Sequence, residues 1–170
     1  MLQVDLRELA RGPVRTVGQV AADDPLFAGL DPALAAPADV EGRLHAAGEG
    51  RFYWQGSVRT RVQGMCRRCL KEMSVPLAAQ ITALFTQDPD ALEDPASYPL
   101  APDATLIDLT AAVREEVILG LPRYLVCRDD CRGLCPHCGQ DLNAGPCDCA
   151  PRASDPRWQA LAAWKGKLRD

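Results

Sequence analysis

Eight cysteines stand out in this 170-residue chain, and they are not scattered. Two sit in "MCRRCLKEM" as Cys66 and Cys69, and six crowd into "CRDDCRGLCPHCGQDLNAGPCDC" between Cys127 and Cys149. Thiols at such density serve as disulfides, as a redox pair, or as ligands of a catalytic or a structural metal. A zinc ion bound by four thiolates needs two short-spaced pairs brought together by the fold, because its coordination is tetrahedral. Cys135 and Cys138 form a CxxC, with Gly139 directly after it to permit the tight turn of a knuckle. Cys147 and Cys149 form a CxC beyond the turn-rich "NAGP", so these four make one compact site by local closure alone. Cys66, Cys69, Cys127 and Cys131 form a second set, a CxxC and a CxxxC, that requires two distant segments to meet. At this level an alternative stays open, in which Cys127 or Cys131 replaces a ligand of the first site. One or two structural zinc ions are therefore expected.

The competing chemistries fit the context less well. A thioredoxin-like CxxC opens a helix after a strand of a βαβ unit, whereas "CRRC" lies in a run of strands and "CPHC" in a turn-rich knuckle. A zinc deaminase needs HxE followed by PCxxC, but His45 is followed by two alanines and His137 by Cys138 and Gly139. A saturated four-thiolate site also leaves no position for a substrate water. Glu115 and Glu116 are adjacent on a helix and do not share a face. No nucleophile elbow, phosphate loop or dinucleotide fingerprint is present. The expectation is a protein that is not an enzyme and has no small-molecule substrate.

The elements that must position the cysteines can be read from patterning. In "GRFYWQGSVRTRVQG", Phe52, Trp54, Val58, Thr60 and Val62 fall on one face. Arg51, Tyr53, Gln55, Ser57, Arg59, Arg61 and Gln63 fall on the other, a period of two that marks a half-buried strand. "AAGEG" before it makes a hairpin, and a third strand follows through "MSVPLAAQITALFT", where Pro76 signals an edge or a bulge. The acidic, proline-rich run from Gln87 to Asp108 is expected as an exposed loop. "DLTAAVREEVILGLP" reads as a helix capped by Asp108, with Leu109, Val113 and Val117 at helical spacing and Gly120 and Pro122 ending it. "SDPRWQALAAWKGKLRD" predicts a last helix, with Asp155 as cap, Pro156 at its first position and Leu161, Trp164 and Leu168 on one stripe.

The fold class is thus α+β: an antiparallel β-meander or partly open barrel with a packed helix, a cysteine-rich zinc knuckle and a C-terminal helix. The expected division is a β-rich main domain over 1–126 with its helix near 108–120, a zinc-knuckle segment over 127–150 and a helical tail over 151–170.

Composition narrows the partners. A content of 47% hydrophobic and 25% charged residues is that of a globular chain. A net charge of −4 argues against non-specific coating of nucleic acid. The start, "MLQVDLRELARGPVRTVG", has no apolar run that would serve as a signal peptide, and no window approaches a membrane span. A cytoplasmic protein with reduced thiols is expected. Against the overall acidity, six basic residues and one acid lie between Arg51 and Glu72. Arg51, Tyr53, Arg59 and Arg61 share the wet side of one strand, and Arg67, Arg68 and Lys71 cluster at its turn. Arginine beside an aromatic ring on a sheet suits RNA contact, although the same pattern also serves solubility.

The order of several motifs resembles one family. "CRRCL" ending a strand, the acidic loop, "IDLTAAVREEVILGLP", "CRDDCRGLCPHCGQDLN" with "CDC", and "DPRWQAL" are similar to the YceD family, named for accumulation of the large ribosomal subunit RNA. The resemblance runs from about Val58 to Leu161. It implies a role in ribosome biogenesis, acting on processing, stability or accumulation of large-subunit RNA, with that RNA or a ribosomal protein as partner. It supplies no catalytic residues. Two other readings stand beside it: a zinc-supported protein adaptor without RNA contact, and a thiol- or zinc-responsive sensor.

Overall fold

The apolar alternation in the middle of the chain builds one long hairpin, and everything else is arranged around it. The computed structural model describes residues 2–88, 90, 96–149, 157 and 161. Strands β1 (Gln3–Asp5), β2 (Val14–Val20), β3 (Ala33–Leu34), β4 (Ala38–Ala46), β5 (Arg51–Met65) and β6 (Glu72–Thr86) come first, with a short helix α1 (Leu6–Leu9) after β1. Strands β7 (Ser97–Pro99) and β8 (Leu106–Asp108) and helix α2 (Thr110–Gly120) follow. β5 and β6 pair antiparallel along their whole length, from Arg51 opposite Thr86 to Met65 opposite Glu72. β4 and β3 share the other edge of β5, and β2 extends the sheet beyond β4.

The fold is α+β, and the sheet is open. Its path runs β2-β4-β5-β6-β7, and among the described residues β2 and β7 do not pair to close a barrel. The meander expectation holds for β4, β5 and β6, but β7 joins β6 in parallel. That strand and β8 lie inside the acidic run expected to be loop. Tyr98 stacks on Phe85 at 5.2 Å between ring centroids, and Ile107 is fully buried in a small ribbon with β1. Burial of these two side chains outweighs the polar composition around them. Pro76 sits opposite Arg61, beyond the reach of β7, so its missing N–H faces the free edge of β6.

The core occupies one face of the sheet, where Val40, Leu44, Trp54, Val58 and Ile81 meet Leu109, Ala112, Val113 and Val117 of the helix region. The N-cap of α2 is Leu109 rather than the expected Asp108, which stands one residue earlier and accepts at Oδ1 from the Thr110 amide at 2.9 Å and from the Thr110 hydroxyl at 2.6 Å. Trp54 is seated by a glycine pair, Gly42 opposite Gly56, on the same face. A Cβ on Gly42 would come within 2.6 Å of the indole nitrogen, and one on Gly56 within 3.0 Å of the ring. The bare backbone therefore lets the indole lie flat, and its N–H donates to Thr16 Oγ1 at 2.9 Å. Among the described residues no helix is long and apolar enough to cross a membrane. The expected C-terminal helix lies outside the described residues, apart from positions 157 and 161.

Candidate metal centres and nucleic-acid interface

The turn between β5 and β6 is a cysteine knuckle. Cys66 N donates to Lys71 O at 2.9 Å and Leu70 N donates to Cys66 O at 2.8 Å, folding the backbone around the Cys66 and Cys69 sulfurs. The segment 135–140 repeats this turn. Cys135 N donates to Gln140 O at 2.8 Å and Gly139 N donates to Cys135 O at 2.9 Å. The residue after the second cysteine is left-handed in both, with φ of 58° at Leu70 and 74° at Gly139. Glycine takes that conformation without cost, whereas leucine does not.

Each knuckle faces a second pair of sulfurs. Cys66, Cys69, Cys127 and Cys131 form one group and Cys135, Cys138, Cys147 and Cys149 another, with all sulfurs of a group within 4.8 Å of one another. In the first group Cys66 and Cys131 are 3.9 Å apart and Cys69 and Cys127 3.7 Å. These separations exceed the S–S bond of about 2.05 Å. They match the edge of a thiolate tetrahedron around an ion with metal–sulfur bonds of about 2.3 Å, which is about 3.8 Å. Two clusters thus have the donor set and the spacing to chelate a metal, and Cys127 and Cys131 belong with the sheet turn. His137 is exposed and stands outside both groups.

The backbone around the sulfurs favours thiolate. The Cys127 amide, donating to Cys66 Sγ at 3.4 Å, lowers the Cys66 pKa to about 6. Amides of Cys138 and His137 hold Cys135 at about 6 in the same way. Cys127 is pushed up to about 12, first by Cys131, and Cys149 to about 12, first by Cys138. One thiolate in each cluster therefore opposes the next, and a divalent cation relieves that repulsion.

The segment from Cys127 to Cys149 is clamped to the hairpin by more than sulfur. Leu134 N donates to Arg68 O at 3.0 Å, and the Arg68 guanidinium donates to the carbonyls of Asp129 at 2.8 Å and Cys131 at 3.0 Å. Lys71 Nζ lies 2.7 Å from Asp141 Oδ2, and within the segment itself Asn143 Nδ2 donates to Cys131 Sγ at 3.5 Å.

Those contacts divide the candidate RNA-contacting residues. Arg51, Arg59 and Arg61 are exposed on one face of β5, as the alternation requires, while Tyr53 is half-buried beside them. Arg51 pairs with Asp88, and Arg59 with Glu41 at 3.2 Å. Arg61 donates to Ser74 Oγ at 3.0 Å and Ser74 O at 2.7 Å, and Tyr53 meets His45 edge-on. Arg68 and Lys71 brace the cysteine segment. Arg67 instead lies over the ring of Tyr124, 4.5 Å from its centroid, and 71% of Tyr124 is exposed. Sequence reasoning missed Tyr124; the hydrogen bond from Arg67 N to Leu125 O that brings it alongside joins residues far apart in the chain.

Comparison with known proteins gives a consistent result. The family model described as "Large ribosomal RNA subunit accumulation protein YceD" matches residues 54–165. Uncharacterized proteins of Mycobacterium bovis and Mycobacterium tuberculosis are 34% identical over 136 residues, covering 78% of this chain and 64% of theirs. A chloroplastic protein of Zea mays, named as a homolog of the large ribosomal RNA subunit accumulation protein, is 28% identical over 151 residues, covering 71% of this chain and 50% of its own. The chain thus spans less than two thirds of the length of these relatives. No solved structure matches.

Proposed function

The chain belongs to the YceD family, and from that premise we propose that it is a non-enzymatic ribosome biogenesis factor. Its task is to contact large-subunit ribosomal RNA and support its processing, stability or accumulation in the cytoplasm. Zinc is the proposed metal of both cysteine clusters, held by Cys66, Cys69, Cys127 and Cys131 and by Cys135, Cys138, Cys147 and Cys149. Four thiolates saturate a tetrahedral ion, so its contribution is structural.

The observation that carries the RNA reading is a gathering of cations and aromatic rings along one strand of a chain with net charge −4. Arg51, Tyr53, Arg59 and Arg61 occupy the strand, and Arg67 with Tyr124 the end near the turn. The ion pairs Arg59–Glu41 and Arg51–Asp88 are exposed, and such pairs contribute little, so phosphate displaces the carboxylates at small cost. A half-covered tyrosine ring beside an arginine suits stacking of an unpaired base.

The test is binding of large-subunit RNA by zinc-loaded protein and by the variant Arg59→Glu with Arg61→Glu. The double reversal should lower RNA affinity and leave the melting temperature nearly unchanged. Wild-type binding should weaken with salt, with a slope of about −0.7 per phosphate contact on a single strand. Thr60→Glu is the folding control, because Thr60 is buried and its hydroxyl donates to Ala36 O at 2.7 Å. If the double reversal binds RNA and supports ribosome assembly like wild type, this strand face is not the RNA surface; if wild type itself binds no RNA, the protein-adaptor reading replaces this one.

A further inference from the structure

Two arginines away from β5 are paired across the sheet. Arg15 of β2 and Arg43 of β4 are register partners, both exposed on the face opposite the core. Directly opposed side chains on antiparallel strands sit about 5 Å apart at Cβ, and like charges there are destabilising. Among the described residues neither guanidinium has an ion-pair or hydrogen-bond partner. The two cations line a depression of about 500 Å³ on the open face. Gln55 and Thr82 continue the same cross-strand row, and Ser57 and Gln80 form the row beside it. One acid, Glu41, borders the depression, and its carboxylate is engaged by Arg59 at 3.2 Å.

We propose that this depression is a phosphate-ester site, with Arg15 and Arg43 holding the anion and the amides and hydroxyls of Gln55, Ser57, Gln80 and Thr82 flanking it. Two guanidiniums lining one depression offer several N–H donors, which suits a tetrahedral anion with more than one free oxygen. Neutral donors around them add hydrogen bonds without adding charge. The site lies on the same sheet face as Arg59, so a strand of RNA crossing that face would place a phosphodiester in it. The identity of the ligand as RNA rests on the proposed function; the anion site does not.

The experiment follows the arginine side-chain NMR signals of the full zinc-loaded chain during titration with a short oligouridylate and, separately, with inorganic phosphate. The oligonucleotide should shift the Arg15 and Arg43 signals. Arg15→Gln with Arg43→Gln should weaken its binding about tenfold and reduce the salt slope by about 1.4, two contacts' worth. Arg11→Gln, in an exposed turn outside the depression, should do neither. The double glutamine variant should also melt no lower than wild type at low salt, because it removes a like-charge pair. Shifts with phosphate alone keep the anion site but overturn its assignment to RNA, and the RNA reading is then decided separately by the Arg59→Glu with Arg61→Glu variant. RNA binding that is unchanged in the double variant overturns the site while leaving the RNA reading standing. A lower melting temperature of that variant at low salt overturns it too, since the arginines would then be structural.

Discussion

The two cysteine clusters have the same composition and nearly the same knuckle, yet they do different work. In one, Cys66 and Cys131 are 65 residues apart and Cys69 and Cys127 are 58 apart, and three of its four sulfurs belong to buried residues. In the other, all four ligands lie within one turn-rich stretch, and Cys138 and Cys149 are exposed. Closing a long loop removes more freedom from the unfolded chain than closing a short one, by an amount that grows with the logarithm of loop length. With a metal bound, the first cluster would therefore staple the hairpin tip to the segment beyond α2. The second organises little more than itself. Equal chemistry at unequal chain separation gives unequal structural reach.

The largest effect should come from Cys66→Ser. Apparent binding energies of structural zinc sites are on the order of 10 kcal/mol, and removing one ligand forfeits much of that. Hydrogen exchange should accelerate at the β5–β6 turn and also around Leu125 to Leu134, with a clear fall in melting temperature. Protection lost only near residue 66 would break the comparison. Cys138→Ser should act less widely. Protection should vanish from Cys135 to Cys149 while β4, β5 and β6 keep theirs, and metal analysis should show one zinc per chain instead of two. Were the sheet to loosen as much as in Cys66→Ser, the second cluster would also be a staple.

The smallest effect sharpens the likeness between the knuckles. Gly139→Leu copies the residue that the first knuckle carries at the same place, Leu70, and no atom lies within 4 Å of the added Cβ. The cost should be only the left-handed backbone, about 1–2 kcal/mol, with both zinc ions retained. Loss of zinc from this variant would mean that the two turns are not equivalent.

What the sequence disclosed follows from how local each signal is. The alternation of β5 and the periodicity of α2 are written in consecutive residues, and both elements form where expected, with α2 starting from Leu109 rather than from Asp108. β2 is not legible in that way. Its inward face carries Thr16 and Gly18 between valines, while Val17 points outward with 67% exposed, so the period is blurred. β7 and β8 are three residues each, too short for a pattern to emerge from an acidic background. At the cysteine clusters the candidate ligand types and the local knuckle were legible from spacing. That Cys127 and Cys131 join Cys66 and Cys69 is a tertiary fact. So is the employment of Arg68 and Lys71, which charge alone marks as surface residues but which reach across to Asp129, Cys131 and Asp141.

The CxxC at the tip of the long hairpin has a consequence in time. Chains are synthesised from the N-terminus at about 5–20 residues per second, so Cys66 and Cys69 emerge roughly 3 to 13 seconds before Cys127 and Cys131 can join them. During that interval the nascent hairpin carries half of the first cysteine cluster, two thiols whose partners have not yet been made. The later cluster has a shorter wait, about 1 to 3 seconds, because its four cysteines lie within one short stretch. A nascent chain arrested just before Cys127 should therefore display a reactive thiol pair at the hairpin tip, which the completed protein hides.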